Sequence, residues 1–382
     1  MKRILLVDLS QRFGGADIRV IDVARRLGNR FDLHVAVLGS GALAERLAET
    51  GVTIWPMTRS RRDPRMMLDL SRLLRRLAPD VVDAHNPQSQ LWGLAAARAV
   101  GISRRIATVH SVLERSETQG LRPLVYPYFY RLLEHVASEG VAVCESVGRH
   151  MRERGFTHRP LHVIANGIAV PTEQCRQPRR RDDPGRFRIA VVGRLVPVKG
   201  HAYLLRALSR LTGRIPGLEC LIIGEGPQRD TLEQEARGLG LQDVVRFLGH
   251  RGDVLSLVAD CDVLCMPSLT EGLPYAALEA ATLSVPIVAS AVGGLAEELS
   301  HAQTARLVAP ADPDALAAEL AWCAEHREEA RQLGAAAARM VELRFSMHEM
   351  IERTAVLYAT DTVPAPHALN ERLFSTARSP DR

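Results

Sequence analysis

The sequence predicts an α/β protein made of two Rossmann-like, doubly wound parallel-sheet domains that face each other across a cleft. Three observations carry this. At 382 residues the chain is too long for one ordinary core, and two domains of roughly 150–200 residues are expected. Short, almost uninterrupted apolar runs alternate with longer helical patterns, as they do where a parallel sheet is covered on both faces. The alternation breaks once, at a charged and proline-containing stretch, and then restarts.

The first series of strands is "RILLVDL" (3–9), "LHVAVLG" (33–39), "VTIWPM" (52–57), "DVVDAH" (80–85), "RIATVH" (105–110), "GVAVCES" (140–146) and "LHVIANG" (161–167). Helical patterns over Asp17–Leu27, Leu43–Thr50, Pro64–Leu77 and Ser89–Ala99 separate them. These make a first domain over 1–170. "PTEQCRQPRRRDDPGRFR" (171–188) is almost free of large aliphatics and has the composition of a linker. The second domain, 189–345, restarts with "IAVVGRL" (189–195), a helix over His201–Leu211, and "LECLIIG" (218–224). A helix over Gln228–Gly238 follows, then "VVRFLGH" (244–250), "DVLCMPS" (262–268), a helix opened by Pro274, "PIVAS" (286–290) and "ARLVAP" (305–310). A long Ala-rich helical region runs from Pro313 to about Leu343. Residues 346–382 read as a carboxy-terminal helix and a poorly ordered tail.

Composition narrows the classes. The 46% hydrophobic and 24% charged fractions are those of a soluble globular protein. A net charge of +5 is only mildly basic, and its local arginine runs lack the interleaved aromatics of a nucleic-acid stripe, so no nucleic-acid partner is expected. An anionic membrane surface or a phosphorylated substrate suits the excess better. The six cysteines are scattered without a CxxC pair, which favours buried reduced thiols over a metal site. Asp8 interrupts the first apolar run too early for a signal peptide, and no stretch nears the ~18 apolar residues of a membrane span. A cytoplasmic location is expected.

Ligands of doubly wound sheets sit outside the carboxyl ends of the strands, so residues just after strands are the candidates. In "VVGRLVPVKG" (191–200) Gly193 lets the backbone turn, while Arg194 and Lys199 project beside a helix start. Two cations and a helix N-terminus suit a diphosphate; the alternative is a turn with two solvated cations. In "EGLPYAALEA" (271–280) Pro274 suits the first helical turn, and the free amides from about Leu273 through Tyr275 to Ala276 can hold phosphate oxygens. Glu279, about one and a half turns inside, can accept two hydrogen bonds from a ribose diol, and Glu271 can address sugar hydroxyls. Taken singly, Glu279 also reads as an exposed helix residue and Glu271 as a cap-region acid.

Together "GRLVPVKG" and the E-x7-E signature of "EGLPYAALE" resemble the retaining, nucleotide-sugar-dependent glycosyltransferases of family 4 (glycosyltransferase group 1), with the GT-B fold. The resemblance covers roughly residues 1 to 345. It includes, in order, "GGAD" (14–17), "LIIGEGPQRDTLE" (221–233), "FLGHRGDV" (247–254), "ADCDVLCMPSLTEGLP" (259–274) and "PIVASAVGGLAEEL" (286–299). It implies that Arg194 and Lys199 bind the diphosphate, that Glu279 holds the ribose, and that Glu271 lies near the transferred sugar with Gly272 at the turn. Arg251 falls where the family contacts the base. Gly14 and Gly15 match the loop that approaches phosphates and acceptor, and His110 matches a histidine facing the donor sugar; the other reading of His110 is a satisfied strand-end histidine. Ala169 stands where the family usually carries an acid, in the approach to the hinge.

The resemblance further implies hexosyl transfer from a nucleotide-diphosphate sugar such as a UDP-sugar, with retention of configuration and with no metal or cofactor beyond that co-substrate. The acceptor would be a sugar, a lipid-linked sugar or a small molecule, in polysaccharide or cell-envelope glycolipid synthesis. The aromatic-basic segment 121–131, with Tyr126, Tyr128, Phe129 and Tyr130 between Arg122 and Arg131, suits either helix packing or peripheral contact with the inner face of a membrane. Alternative readings are a nucleotide-sugar-binding protein without transferase activity and a nucleotide-sugar 2-epimerase. A third, an NAD-dependent dehydrogenase using "GSGALA" (39–44), lacks the last glycine of the fingerprint.

Overall fold

The computed structural model describes residues 1–11, 13–60, 63–112, 128–169 and 185–361. Most of the predicted linker and all of the predicted tail beyond Asp361 lie outside the described residues. The chain divides into two compact units, 1–167 with 347–382, and 168–346.

The first unit holds seven parallel strands in the order β3-β2-β1-β4-β5-β6-β7. They are β1 (Arg3–Asp8), β2 (Asp32–Leu38), β3 (Thr53–Met57), β4 (Val81–His85), β5 (Arg104–Val109), β6 (Glu139–Ala142) and β7 (Leu161–Val163). Helices α1 (Gly15–Leu27), α2 (Ala42–Ala48), α3 (Met66–Leu77), α4 (Pro87–Ala99), α5 (Phe129–Val136) and α6 (Glu145–Glu153) lie between them. Pro56, which cannot donate to a ladder, sits in edge strand β3, where that loss is tolerated. Helix α4 starts where its sequence dictates: the Asn86 side chain caps the Ser89 amide at 3.1 Å, and Pro87 occupies the first turn.

The second unit holds six parallel strands in the order β10-β9-β8-β11-β12-β13. These are β8 (Phe187–Val192), β9 (Leu218–Ile223), β10 (Val245–Gly249), β11 (Val263–Met266), β12 (Ile287–Ser290) and β13 (Arg306–Val308). Its helices are α7 (His201–Leu211), α8 (Arg229–Gly238), α9 (Val254–Ala259), α10 (Tyr275–Thr282), α11 (Gly293–Glu298), α12 (Pro313–Glu325) and α13 (Arg327–Arg344). The Ala-rich region expected as one long helix is two, divided at His326, whose φ of −120° and ψ of 58° are not helical. A core of Phe187, Ile189, Val191, Leu204, Leu208 and Ile222 packs α7 on the sheet. The described cysteines of this unit, Cys220, Cys261, Cys265 and Cys323, are free and buried.

The last described helix, α14 (Met347–Ala359), belongs to the first unit. Its buried Met350, Ile351, Leu357 and Tyr358 join Ile4, Leu6, Val20 and Leu27 in one core. Arg104, itself paired with buried Glu139, donates to the Leu357 carbonyl at 2.8 Å and the Thr360 carbonyl at 2.6 Å. The Tyr358 hydroxyl donates to Asp83 Oδ2 at 2.6 Å. The last described helix is thereby stitched to the middle of the first sheet.

Candidate active site

In both sheets the strand order reverses at one place: between β1 and β4 in the first, and between β8 and β11 in the second. That crevice at the carboxyl ends is where doubly wound folds bind ligands, and the candidate residues collect beside it.

In the second unit Gly193, Arg194 and Lys199 follow β8, and Ser268 and Glu271 follow β11. Lys199 Nζ donates to Glu271 Oε1 at 2.6 Å, and Ser268 Oγ donates to the same oxygen at 2.7 Å. Glu271 is 6% exposed, whereas Arg194 is exposed. The turn carrying Lys199 closes on Gly200 at φ +69°, where a Cβ would collide with the Pro267 carbonyl. Backbone therefore meets backbone here, reinforced by Leu269 N to Val198 O at 2.7 Å, and the two loops form one unit. His201, the first residue of α7, is 1% exposed; burial, then the Lys199 charge, push its imidazole down to about 4.

Pro274 is the N-cap of α10 rather than a residue of its first turn, because its ψ of 131° is extended. Leu273 and Tyr275 are buried around it, and Glu279 is half-buried in the second turn of the helix. Gly293, at φ +50°, lies against the Glu271 carbonyl where a Cβ would collide, and Gly294 N donates to Gly272 O at 2.9 Å. The α11 start thus holds the Glu271–Gly272 turn from behind. Arg251 is exposed beyond edge strand β10 and forms a two-bond pair with Asp253 at 2.8 and 2.7 Å; its side chain is not part of the Lys199–Glu271 cluster.

In the first unit Gly14 and Gly15 begin α1 after β1. The Gly14 amide donates to Asp17 Oδ2 at 2.7 Å, and the Ser10 hydroxyl donates to the other Asp17 oxygen. Asp8, at the end of β1, is fully buried and accepts from Ser10 N at 3.0 Å and Asn86 Nδ2 at 2.6 Å. Burial, then the Asp17 charge, push its carboxyl up to about 8. Asn86 has φ +57°, a strained conformation that marks this turn. His110 follows β5, and its Nε2 lies 2.9 Å from His85 Nδ1. Burial holds both rings below the ordinary histidine range; the neighbouring His85 and the Arg19 charge lower His110 further.

Sequence reading thus placed Gly193, Lys199, Glu271 and Gly272 together, and Gly14, Gly15 and His110 at one sheet edge. It missed Ser268, although its place directly after a strand was a signal, and Gly293–Gly294, a pair opening a helix. It also missed Asp8 and the pairing of His110 with His85, which lies at a strand end and reads from sequence as acceptor-side at most. Of the aromatic segment, residues 121–127 lie outside the described residues; Phe129 and Tyr130 are buried, and Tyr128 is 61% exposed.

Two doubly wound parallel-sheet units in one chain are the architecture of the GT-B glycosyltransferases. The sequence matches the model of "Glycosyltransferase Family 4" over residues 13–170 and that of "Glycosyl transferases group 1" over residues 176–340. The chain belongs to this family. A glycogen synthase of Mycobacterium tuberculosis is 34% identical over 202 residues, 52% of this chain and 48% of the relative. The chain thus spans about half the length of the first curated relatives it matches. The Escherichia coli UDP-Gal:α-D-GlcNAc-diphosphoundecaprenol α-1,3-galactosyltransferase is 25% identical over 287 residues, 69% of this chain and 73% of the relative. Among solved structures, Anabaena HepE in complex with UDP and glucose superposes with a TM-score of 0.83 at 21% identity, over 94% of this chain and all of that one. Among the described residues no helix is long and apolar enough to cross a membrane.

Proposed function

We propose that this protein is a retaining, metal-independent glycosyltransferase that moves a hexosyl group from a nucleotide-diphosphate sugar to an acceptor hydroxyl. The observation that carries the reading is the buried Glu271 carboxylate held by Lys199 and Ser268 after the two strands that flank the switch point of the second sheet, with exposed Arg194 two residues beyond the first of them. Arg194 and Lys199 neutralise the diphosphate as it departs, assisted by the amides at the start of α10, and so stabilise an oxocarbenium-like transition state. Cations supplied by the chain do the work that a metal would otherwise do. Glu279 receives the ribose diol and Glu271 a hydroxyl of the sugar. The leaving phosphate takes the acceptor proton, which accounts for retention without a carboxylate nucleophile.

The UDP of the Anabaena protein and the UDP-Gal of the Escherichia coli relative favour a UDP-sugar donor. The lipid diphosphate acceptor of the latter favours a lipid-linked acceptor and a place in envelope polysaccharide or glycolipid synthesis. A peripheral membrane contact through exposed Tyr128, the N-cap of α5, and exposed Leu132 within that helix fits such an acceptor.

The test is turnover of UDP-sugars in the presence of a chelator, followed by proton NMR of the first product formed. An α-linked product, or α-sugar released to water, from an α-linked donor is expected. An inverted product, or turnover that appears only when a divalent metal is restored, contradicts the mechanism.

A further inference from the structure

The seven-stranded sheet carries two helical layers that differ in charge. Successive side chains of β1 point to opposite faces. Ile4 and Leu6 share a core with Val20 and Leu27 of α1, Leu47 of α2 and Met350 of α14. Val7 meets α4 instead, where a Cβ on Gly93 would lie 3.3 Å from its side chain. The first layer is balanced: α1, α2 and α14 hold five acids (Asp17, Asp22, Glu45, Glu349, Glu352) and five arginines (Arg19, Arg25, Arg26, Arg46, Arg353).

The second layer is not. There α3 packs against α4, and α4 against α5. These helices hold five arginines, Arg72, Arg75, Arg76, Arg98 and Arg131, all exposed, and only two acids. Asp69 is paired with Arg59 and Arg72. Glu134 is buried and accepts from the His158 and Arg159 amides. Neither acid offsets the remaining arginines. Arg98 donates to the His135 carbonyl and so ties α4 to α5. Met66, Leu70, Leu73, Leu74 and Leu77 turn one stripe of α3 inward at helical spacing, which leaves Leu68 among the outward arginines, 56% exposed. Of the six large apolar side chains exposed among the described residues, three belong to this layer: Leu68, Tyr128 and Leu132.

We propose that the outer face of α3, α4 and α5 is a docking surface for a bilayer containing anionic lipid. This extends the contact suggested for Tyr128 and Leu132 from one helix to three, and it is independent of the transfer chemistry. The arginines attract lipid phosphates while the apolar tips between them enter the interface. A soluble polyanion would engage the charge but leave Leu68, Tyr128 and Leu132 in water. The balanced layer on the opposite face of the sheet gives the attraction a direction.

The test is flotation of the full chain with vesicles of phosphatidylcholine and phosphatidylglycerol in equal parts, and with phosphatidylcholine alone. Wild type should bind the anionic vesicles and leave them as salt is raised. Arg75→Gln with Arg76→Gln should lower partitioning about 25-fold, about fivefold for each arginine. Arg25→Gln with Arg26→Gln removes the same charge from exposed positions of α1, on the opposite layer, and should leave partitioning near the wild-type value. Leu68→Ser, which changes no charge, should weaken binding without altering its salt dependence. Equal losses in the α3 and α1 pairs, with melting temperatures matched to wild type, would make net charge alone responsible and overturn the proposal. Binding of wild type to heparin but to neither vesicle, or to both vesicles equally, overturns it too. If the α3 pair and Leu68→Ser float as wild type while Tyr128→Ser with Leu132→Ser does not, the contact is confined to α5 and the three-helix face is contradicted. No donor or acceptor enters the assay, so failure of the glycosyltransferase reading would leave each of these results standing.

Discussion

Single residues here carry charge states that can be tested without substrate. Asp8 ionises near 3.8 in an unfolded chain and at about 8 in the fold. The folded state keeps a proton that the unfolded state has released, so this stabilisation is complete below pH 3.8 and is lost as pH rises toward 8. Asp8→Asn, neutral at every pH, should raise the melting temperature by an amount that grows between pH 4 and 8; a constant difference would show that Asp8 is ionised throughout. His201 runs the other way. Its depressed value of about 4 means the unfolded chain takes the proton first, so stability present above pH 6.5 falls as pH drops toward 4. Replacing His201 with Gln should remove roughly 2 kcal/mol of the loss between pH 7 and 5, measured by urea unfolding. Lys199→Ala strips buried Glu271 of its cation and should cost about 1–3 kcal/mol as well as transfer activity. Unchanged turnover in that variant would separate Lys199 from the chemistry.

At the scale of elements, two packing arrangements position the site. The start of α11 backs the Glu271 turn through Gly293, so Gly293→Ala adds a Cβ both at positive φ and against a carbonyl. A loss of about 1–3 kcal/mol is expected, with donor affinity falling in the same variant; a gain of stability would mean the turn is free to move. Helix α14 completes the first unit's core. Tyr358→Phe leaves one oxygen of buried Asp83 unmet and should cost about 1–3 kcal/mol in chemical unfolding. The strands were legible because parallel-sheet strands are continuous apolar runs, and Lys199 and Glu271 were legible because they directly follow such strands. The return of α14 was not, since the contact between Tyr358 and Asp83 spans 275 residues and leaves no local pattern. The break at His326 was hidden for the converse reason: alanine-rich sequence on both sides favours helix whether or not the chain turns.

At the scale of the molecule, a net charge of +5 and the exposed Tyr128 and Leu132 bear on the proposed membrane contact. Flotation with vesicles containing anionic lipid should carry the protein upward, and Tyr128→Ser with Leu132→Ser should reduce it; absence of wild-type binding removes the membrane contact. Phe129 is unsuited to that test because it is buried. The central claim, that the second unit binds a nucleotide-diphosphate sugar through Arg194, Lys199, Glu271 and Glu279, is tested most directly by thermal shift with UDP-, GDP- and ADP-sugars in chelator. One family of donors should stabilise wild type, by about 2.7 kcal/mol at a hundred times its dissociation constant, and Arg194→Ala and Glu279→Ala should abolish that gain, each measured against the same variant without ligand. No stabilisation by any donor, or an undiminished shift in both variants, would contradict it.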